Sequence, residues 1–239
     1  MIKHKGYINT KWENFRYKLL LPYGIRQIKK YGFWFIDIPR TSSTSIRVEL
    51  GKEYSMVYGK SDVFEKGFKQ IQIIPDHIPA IKMQEIMGKK EWEKLFTFTF
   101  VRNPWDRMVS FYHYRLKSKL LRPDMDFREF ILRLKSSKFG EIGTYNFYGH
   151  YFGSSDFVSD RNNNIIVDFI GKYENRQKDI QYIANKIGSK ELGKIAIQKA
   201  TPAKKHYSDY YDDETKMIIE KVYHKDIELF GYKFERKEY

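Results

Sequence analysis

The chain contains no cysteine, which excludes a disulfide framework, a thiolate metal site and a thiolate nucleophile together. No stretch approaches the roughly 20 apolar residues that span a bilayer. Residues 1–30 carry no apolar run of signal-peptide length, because Leu19-Leu20-Leu21 is cut short by Pro22. These absences set the expectation of a soluble, cytoplasmic protein without a membrane span. There is no internal repeat or low-complexity linker, and no His/Asp/Glu cluster at metal-ligand spacing, so no metal is expected. Negative charge is scarce too: 30 Asp+Glu face 44 Lys+Arg, for a formal net charge of +14. Half of that excess lies in residues 1–30, where eight Lys/Arg stand against one Glu. Such a balance calls for an anionic partner. Nucleic acid would fit the sign, yet zinc-finger spacing, an RNP motif and a helix-turn-helix signature are all missing. A polyanionic small molecule fits it as well.

What is present is enough for one α/β domain. The 239 residues are 41% hydrophobic and 17% aromatic, long enough to bury a full core and too apolar for a disordered chain. Residues 1–30 are expected as a basic arm, packed on or preceding a single domain over 31–239. Predicted strands at 32–38, 68–74, 96–101 and 165–170 alternate with predicted helices at 43–50, 78–95, from Pro104 onward, 126–134, 179–187 and 213–230. That rhythm predicts a central, mainly parallel sheet flanked by helices in three layers. Asp126 is placed as a helix cap. The last helix carries Ile219, Tyr223, Ile227 and Phe230 as its core stripe and stops at Gly231. Residues 135–164, rich in Gly, Ser, Asn and aromatics without clear periodicity, are expected to form a lid or substrate surface.

Two short segments carry the chemistry. Ile38-Pro39-Arg40-Thr41-Ser42-Ser43-Thr44-Ser45 follows the apolar run Phe33-Trp34-Phe35-Ile36, and Phe100-Val101-Arg102-Asn103-Pro104-Trp105-Asp106-Arg107-Met108-Val109-Ser110 follows Leu95-Phe96-Thr97-Phe98-Thr99. Each reads as strand, sharp turn and helix start, leaving unpaired backbone N–H groups at the positive end of a helix dipole. Two such segments in one domain suit a ligand with two separated anionic groups. A Ser/Thr cluster before a helix also serves as a plain cap; the second segment tips the first toward an anion loop. Compared with a Walker A loop, G-x-x-x-x-G-K-[ST], the first segment lacks both glycines and the lysine, so ATP or GTP hydrolysis is not expected.

The pair resembles the phosphosulfate-binding loop and the 3′-phosphate-binding segment of sulfotransferases that use 3′-phosphoadenosine 5′-phosphosulfate (PAPS). The wording Val101-Arg102-Asn103-Pro104-Trp105-Asp106-Arg107-Met108-Val109-Ser110-Phe111-Tyr112 is closest to the branch that sulfates carbohydrates. The resemblance continues through His77-Ile78-Pro79-Ala80 and Asp168-Phe169-Ile170-Gly171-Lys172-Tyr173-Glu174-Asn175. It runs on through Tyr210-Tyr211-Asp212-Asp213-Glu214-Thr215 and Asp226-Ile227-Glu228-Leu229-Phe230-Gly231-Tyr232, so that it spans residues 33–234 in order. It implies a P-loop-like fold and transfer of a sulfuryl group from PAPS to an acceptor hydroxyl, leaving 3′,5′-ADP. A P-loop-like nucleoside or sugar kinase and a basic nucleic-acid-binding module stand as the alternatives.

Residue by residue, the resemblance places Arg40 where the family usually has lysine, against the bridging oxygen of the phosphosulfate; the exchange trades a compact ammonium for a planar fork. Ser42 stands where a glycine is common. Thr41, Ser42, Ser43, Thr44 and Ser45 are implied as 5′-phosphate ligands, and Arg102 with Ser110 as 3′-phosphate ligands. Asn103, Asp106 and Arg107 are expected to cap the helix and tie it to its neighbours. An acceptor hydroxyl needs a base, because a protonated alcohol is a poor nucleophile. Among six histidines, His77 is favoured because it follows the predicted strand 68–74 at the edge that holds both loops, where open α/β sheets bind ligands. Asp76 would orient it or cap the helix. His150, in Tyr148-Gly149-His150-Tyr151, is the second candidate and with Tyr148 is otherwise expected to orient the acceptor. Lys204, Lys205 and Tyr207 fall where relatives have a basic loop over the nucleotide.

Overall fold

The computed structural model describes residues 11–54, 77–136, 152–194 and 205–237. Three strands, β1 (Phe33–Phe35), β2 (Phe96–Val101) and β3 (Phe169–Lys172), form a parallel sheet in the order β1-β2-β3. The register sets Phe35 against Phe98 and Phe98 against Phe169. A parallel strand has both faces covered, which is why β1 and β2 read as nearly unbroken aromatic and β-branched runs. The predicted strand 68–74 lies outside the described residues.

Helices α1 (Lys11–Tyr31), α2 (Ser43–Tyr54), α3 (Ala80–Met87) and α4 (Lys89–Trp92) accompany the first two strands. Then come α5 (Pro104–Lys117), α6 (Phe127–Ser136), α7 (Ser154–Val158), α8 (Arg176–Ile187), α9 (Asp213–Val222) and α10 (His224–Phe230). One hydrophobic cluster joins the strands to Ile28, Ile46, Leu50, Met83 and Ile183. A second joins Trp105, Met108 and Phe111 of α5 to Phe130, Ile131 and Ile219. The result is a parallel sheet flanked by helices, as the strand–helix rhythm predicts, and a P-loop-like α/β fold, as the resemblance implies.

Several predicted elements differ in extent: the strand expected over 32–38 spans Phe33–Phe35, and the helix expected over 43–50 runs on to Tyr54. The helix expected over 78–95 is two helices, because Gly88 takes a left-handed φ of 85° between α3 and α4. The helix expected over 213–230 breaks at Tyr223, whose φ and ψ of −111° and 26° leave the helical region. That break lets one segment serve both clusters: Ile218, Ile219 and Tyr223 enter the second, Phe230 and Tyr232 the first. The strand expected over 165–170 forms only from Phe169. Ile165 makes a single antiparallel bridge to Ser159, and Asp168 engages β2 through its side chain, accepting from Thr97 N at 2.7 Å and Thr97 Oγ1 at 2.6 Å. Within 135–164, α6 reaches Ser136 and α7 is a helix of its own. Residues 137–151, with Tyr148 and His150, lie outside the described residues, as do 195–204, with Lys204.

Helix α5 starts where the sequence says it should. Asn103 is its N-cap, the side chain accepting from Trp105 N at 3.0 Å, and Pro104 fills the first position, where no N–H is needed. The Asn103 amide also donates to Lys233 O at 3.0 Å. Asn103→Ala should therefore cost about 1–2 kcal/mol of stability, read as a lower urea midpoint with an unchanged slope. A midpoint equal to wild type would show that the cap contributes nothing.

Candidate active site

The carboxyl ends of the parallel strands open into the segments singled out by sequence. β1 runs into Asp37-Ile38-Pro39-Arg40, β2 into Arg102, and β3 into Tyr173. In a parallel sheet this is the edge where the strand-to-helix turns leave room for a ligand.

The turn after β1 does without glycine. Arg40 and Ser42 both adopt left-handed backbones, with φ of 67° and 72°, a conformation that costs an ordinary residue of the order of 1–3 kcal/mol. Surrounding contacts hold it there. Arg107, 1% exposed, donates Nε to Pro39 O at 3.2 Å and Nη2 to Phe152 O at 2.8 Å. Arg102 donates Nη1 to Arg40 O at 3.2 Å. Since N–H and C=O oppose each other across a trans peptide, pinning these two carbonyls turns the N–H groups of Arg40 and Thr41 the other way. The Thr41 hydroxyl is buried and donates to Ile38 O at 2.9 Å. Ser43 is also buried, and its hydroxyl is among the groups that lower the Asp37 pKa. Ser42, Thr44 and Ser45 are the hydroxyls of the cluster that stay solvent-accessible.

The two segments meet. Arg40 donates Nε and Nη2 to Ser110 Oγ at 3.2 and 2.9 Å, and its guanidinium lies 4.8 Å from the Tyr114 ring centre. Among the described residues no carboxylate pairs with Arg40. Burial and the neighbouring Arg102 charge push its pKa down to about 10, against the opposing pull of Tyr114 and Tyr173. It is still a cation at neutral pH, and an anion placed between the two guanidiniums would relieve their repulsion. Arg102 pairs Nε with Asp106 Oδ2 at 2.7 Å and lies 4.1 Å from the Tyr173 ring centre. Arg176 approaches the same ring at 4.4 Å. Beyond this stack a cleft of about 440 Å³ is lined by Asp106, Tyr173, Glu174 and residues 175–178.

His77 opens a described segment at the same edge. Its Nδ1 lies 3.0 Å from Asp37 O and 3.3 Å from Asp37 Oδ2, and its backbone is left-handed with φ of 57°. Arg47 Nη1 of α2 holds the same carboxylate at 3.1 Å. Burial alone would raise the Asp37 pKa, but His77, Arg47 and the Ser43 hydroxyl together hold it well below the usual carboxylate range.

Among the remaining candidates, Lys205 is exposed. The Tyr207 hydroxyl accepts from Glu235 N at 2.7 Å and its ring packs edge-on against Phe234, tying it to the chain after α10. Asp106 and Arg107 do tie α5 to its surroundings, Asp106 through Arg102 and Arg107 through Pro39 and Phe152. Asp76 lies outside the described residues, and the carboxylate beside His77 is Asp37. Sequence reasoning passed over Asp37, Arg47, Tyr114 and Tyr173. Asp37 had a signal, as the sole charge in the apolar run 33–38; Tyr114 had a weaker one, four residues beyond Ser110 on the same helix face. Among the described residues no group of three or more His, Asp and Glu could hold a metal ion, and no helix is long and apolar enough to cross a membrane.

Fold and strand order together define a P-loop-like α/β protein with a tight, glycine-free turn after the first strand. The chain belongs to the sulfotransferase family, whose profile matches residues 25–233. An uncharacterized protein of Archaeoglobus fulgidus is 35% identical over 124 residues, covering 52% of this chain and 92% of its own length. No solved structure matches. Sulfuryl transfer is the family's chemistry.

Proposed function

We propose that the protein transfers a sulfuryl group from PAPS to a hydroxyl of a carbohydrate or glycoconjugate. The observation that carries this reading is the meeting of Arg40 with Ser110, and of Arg102 with the Arg40 carbonyl, which makes one polycationic site of two segments distant in sequence. Arg102 and Ser110 bind the 3′-phosphate, the group that separates PAPS from most adenine nucleotides. The turn N–H groups with the hydroxyls of Ser42, Thr44 and Ser45 bind the 5′-phosphosulfate; Thr41 and Ser43 act through their backbones. His77 accepts the acceptor's hydroxyl proton as the oxygen attacks sulfur. The new S–O bond forms as the bridging S–O bond breaks, its electron pair passing to the departing phosphate. Arg40 stabilises that charge, in the manner of a preorganised electrostatic group. Lys204, Lys205 and Tyr207 flank the nucleotide, and Tyr148 and His150 serve the acceptor. The carbohydrate assignment rests on the wording of the second segment.

The test is transfer of labelled sulfate from PAPS to fractionated extracts and to defined glycans, phenols and lipids. Labelled glycans are the expected result. Label confined to phenols would overturn the carbohydrate assignment, and no transfer to any acceptor class would overturn the reaction.

A further inference from the structure

We propose that Asp37 is a positioning residue that fixes the tautomer of His77. This rests on the reading of His77 as the base.

Asp37 is 5% exposed, at the end of an otherwise apolar run. Burying a carboxylate is expensive unless it is paired and hydrogen-bonded. Here two groups from separate elements reach it: Arg47 Nη1 at 3.1 Å on α2, and His77 Nδ1 at 3.3 Å. An ion pair with Arg47 alone would not require His77, whose left-handed backbone brings its ring to the same residue.

The second contact decides the proton. His77 Nδ1 lies 3.0 Å from the Asp37 carbonyl oxygen, and a carbonyl can only accept. Nδ1 must therefore carry hydrogen, given to that carbonyl, with the carboxylate 3.3 Å away. In the neutral ring the basic lone pair is then on Nε2, the nitrogen that takes the acceptor's proton. The carboxylate also stabilises the imidazolium formed during transfer.

Among the described residues the charged groups in this cluster are Asp37 and Arg47, of opposite effect on the ring. Removing the Asp37 charge takes away the anion that stabilises the protonated ring. Asp37→Asn should therefore lower kcat about tenfold or more, while 3′,5′-ADP affinity stays within twofold. The acidic limb of kcat/KM should move to lower pH by about one unit. A merely structural carboxylate would leave that limb in place. His77→Ala, run in parallel, separates the two ideas: if it abolishes turnover while Asp37→Asn preserves kcat and the limb, the Asp37 assignment fails and the base stands. If His77→Ala keeps turnover, the base itself is wrong. Should Asp37→Asn not fold, imidazole ¹⁵N shifts of the wild-type protein decide. A neutral ring protonated on Nδ1 is expected; one protonated on Nε2 would overturn the proposal.

Discussion

Replacing His77 with alanine should cut turnover by about a hundredfold or more, the usual worth of a general base, and leave 3′,5′-ADP affinity nearly unchanged. The separation follows from geometry. His77 is held by Asp37, whereas the nucleotide contacts are assigned to Arg102, Ser110 and the turn, with neither Arg102 nor Ser110 bonded to the imidazole. Turnover and nucleotide affinity measured on the same variant check this directly. His150→Ala, the comparison variant, should raise the acceptor KM with less effect on kcat. Near-normal turnover in His77→Ala, together with its loss in His150→Ala at unchanged nucleotide affinity, would transfer the base to His150 and leave the donor site standing.

Arg102→Ala should weaken 3′,5′-ADP binding by about 1.5–3 kcal/mol, one to two decades in Kd, as expected for a lost charge-assisted hydrogen bond. Arg102 already spends Nε on Asp106 and Nη1 on Arg40 O. Its phosphate contact therefore runs through Nη2 and the second Nη1 hydrogen unless the Asp106 pair opens. Deletion also releases the Arg40 carbonyl, so the 5′ side of the site should loosen with the 3′ side. Isothermal titration reads the effect. 3′,5′-ADP binding should fall further than 5′-AMP binding, because only the former carries the 3′-phosphate. An equal loss for both would place Arg102 in loop support alone.

Much of this arrangement could be read along the chain because it rests on local rules. The Phe96–Val101 strand, Asn103 as cap and Pro104 as first helical residue follow from β-branched and aromatic content, side-chain capping and the missing proline N–H. The pairing of the two anion segments followed from their shared strand–turn–helix pattern and from the family resemblance. What escaped was set by tertiary contact. Nothing local makes Asp168 bond Thr97 in place of a longer ladder, or breaks the last helix at Tyr223 so that it feeds two clusters. The inward turn of the Thr41 hydroxyl and the burial of Ser43 could not be told from an outward placement, since both are short polar residues at a helix start. Asp76 was the obvious partner for His77 by adjacency. Asp37, forty residues earlier, becomes its neighbour only once the ends of the strands come together.

The central claim is a site built for a nucleotide bearing both a 5′- and a 3′-phosphate. Calorimetric titration of the wild-type protein with 3′,5′-ADP and with ATP, at one salt concentration, tests it most directly. Saturable binding of 3′,5′-ADP, at least tenfold tighter than ATP and weakened by Arg102→Ala, is the expected result. ATP binding that equals or exceeds that of 3′,5′-ADP would contradict it and favour a kinase-like nucleotide site in its place.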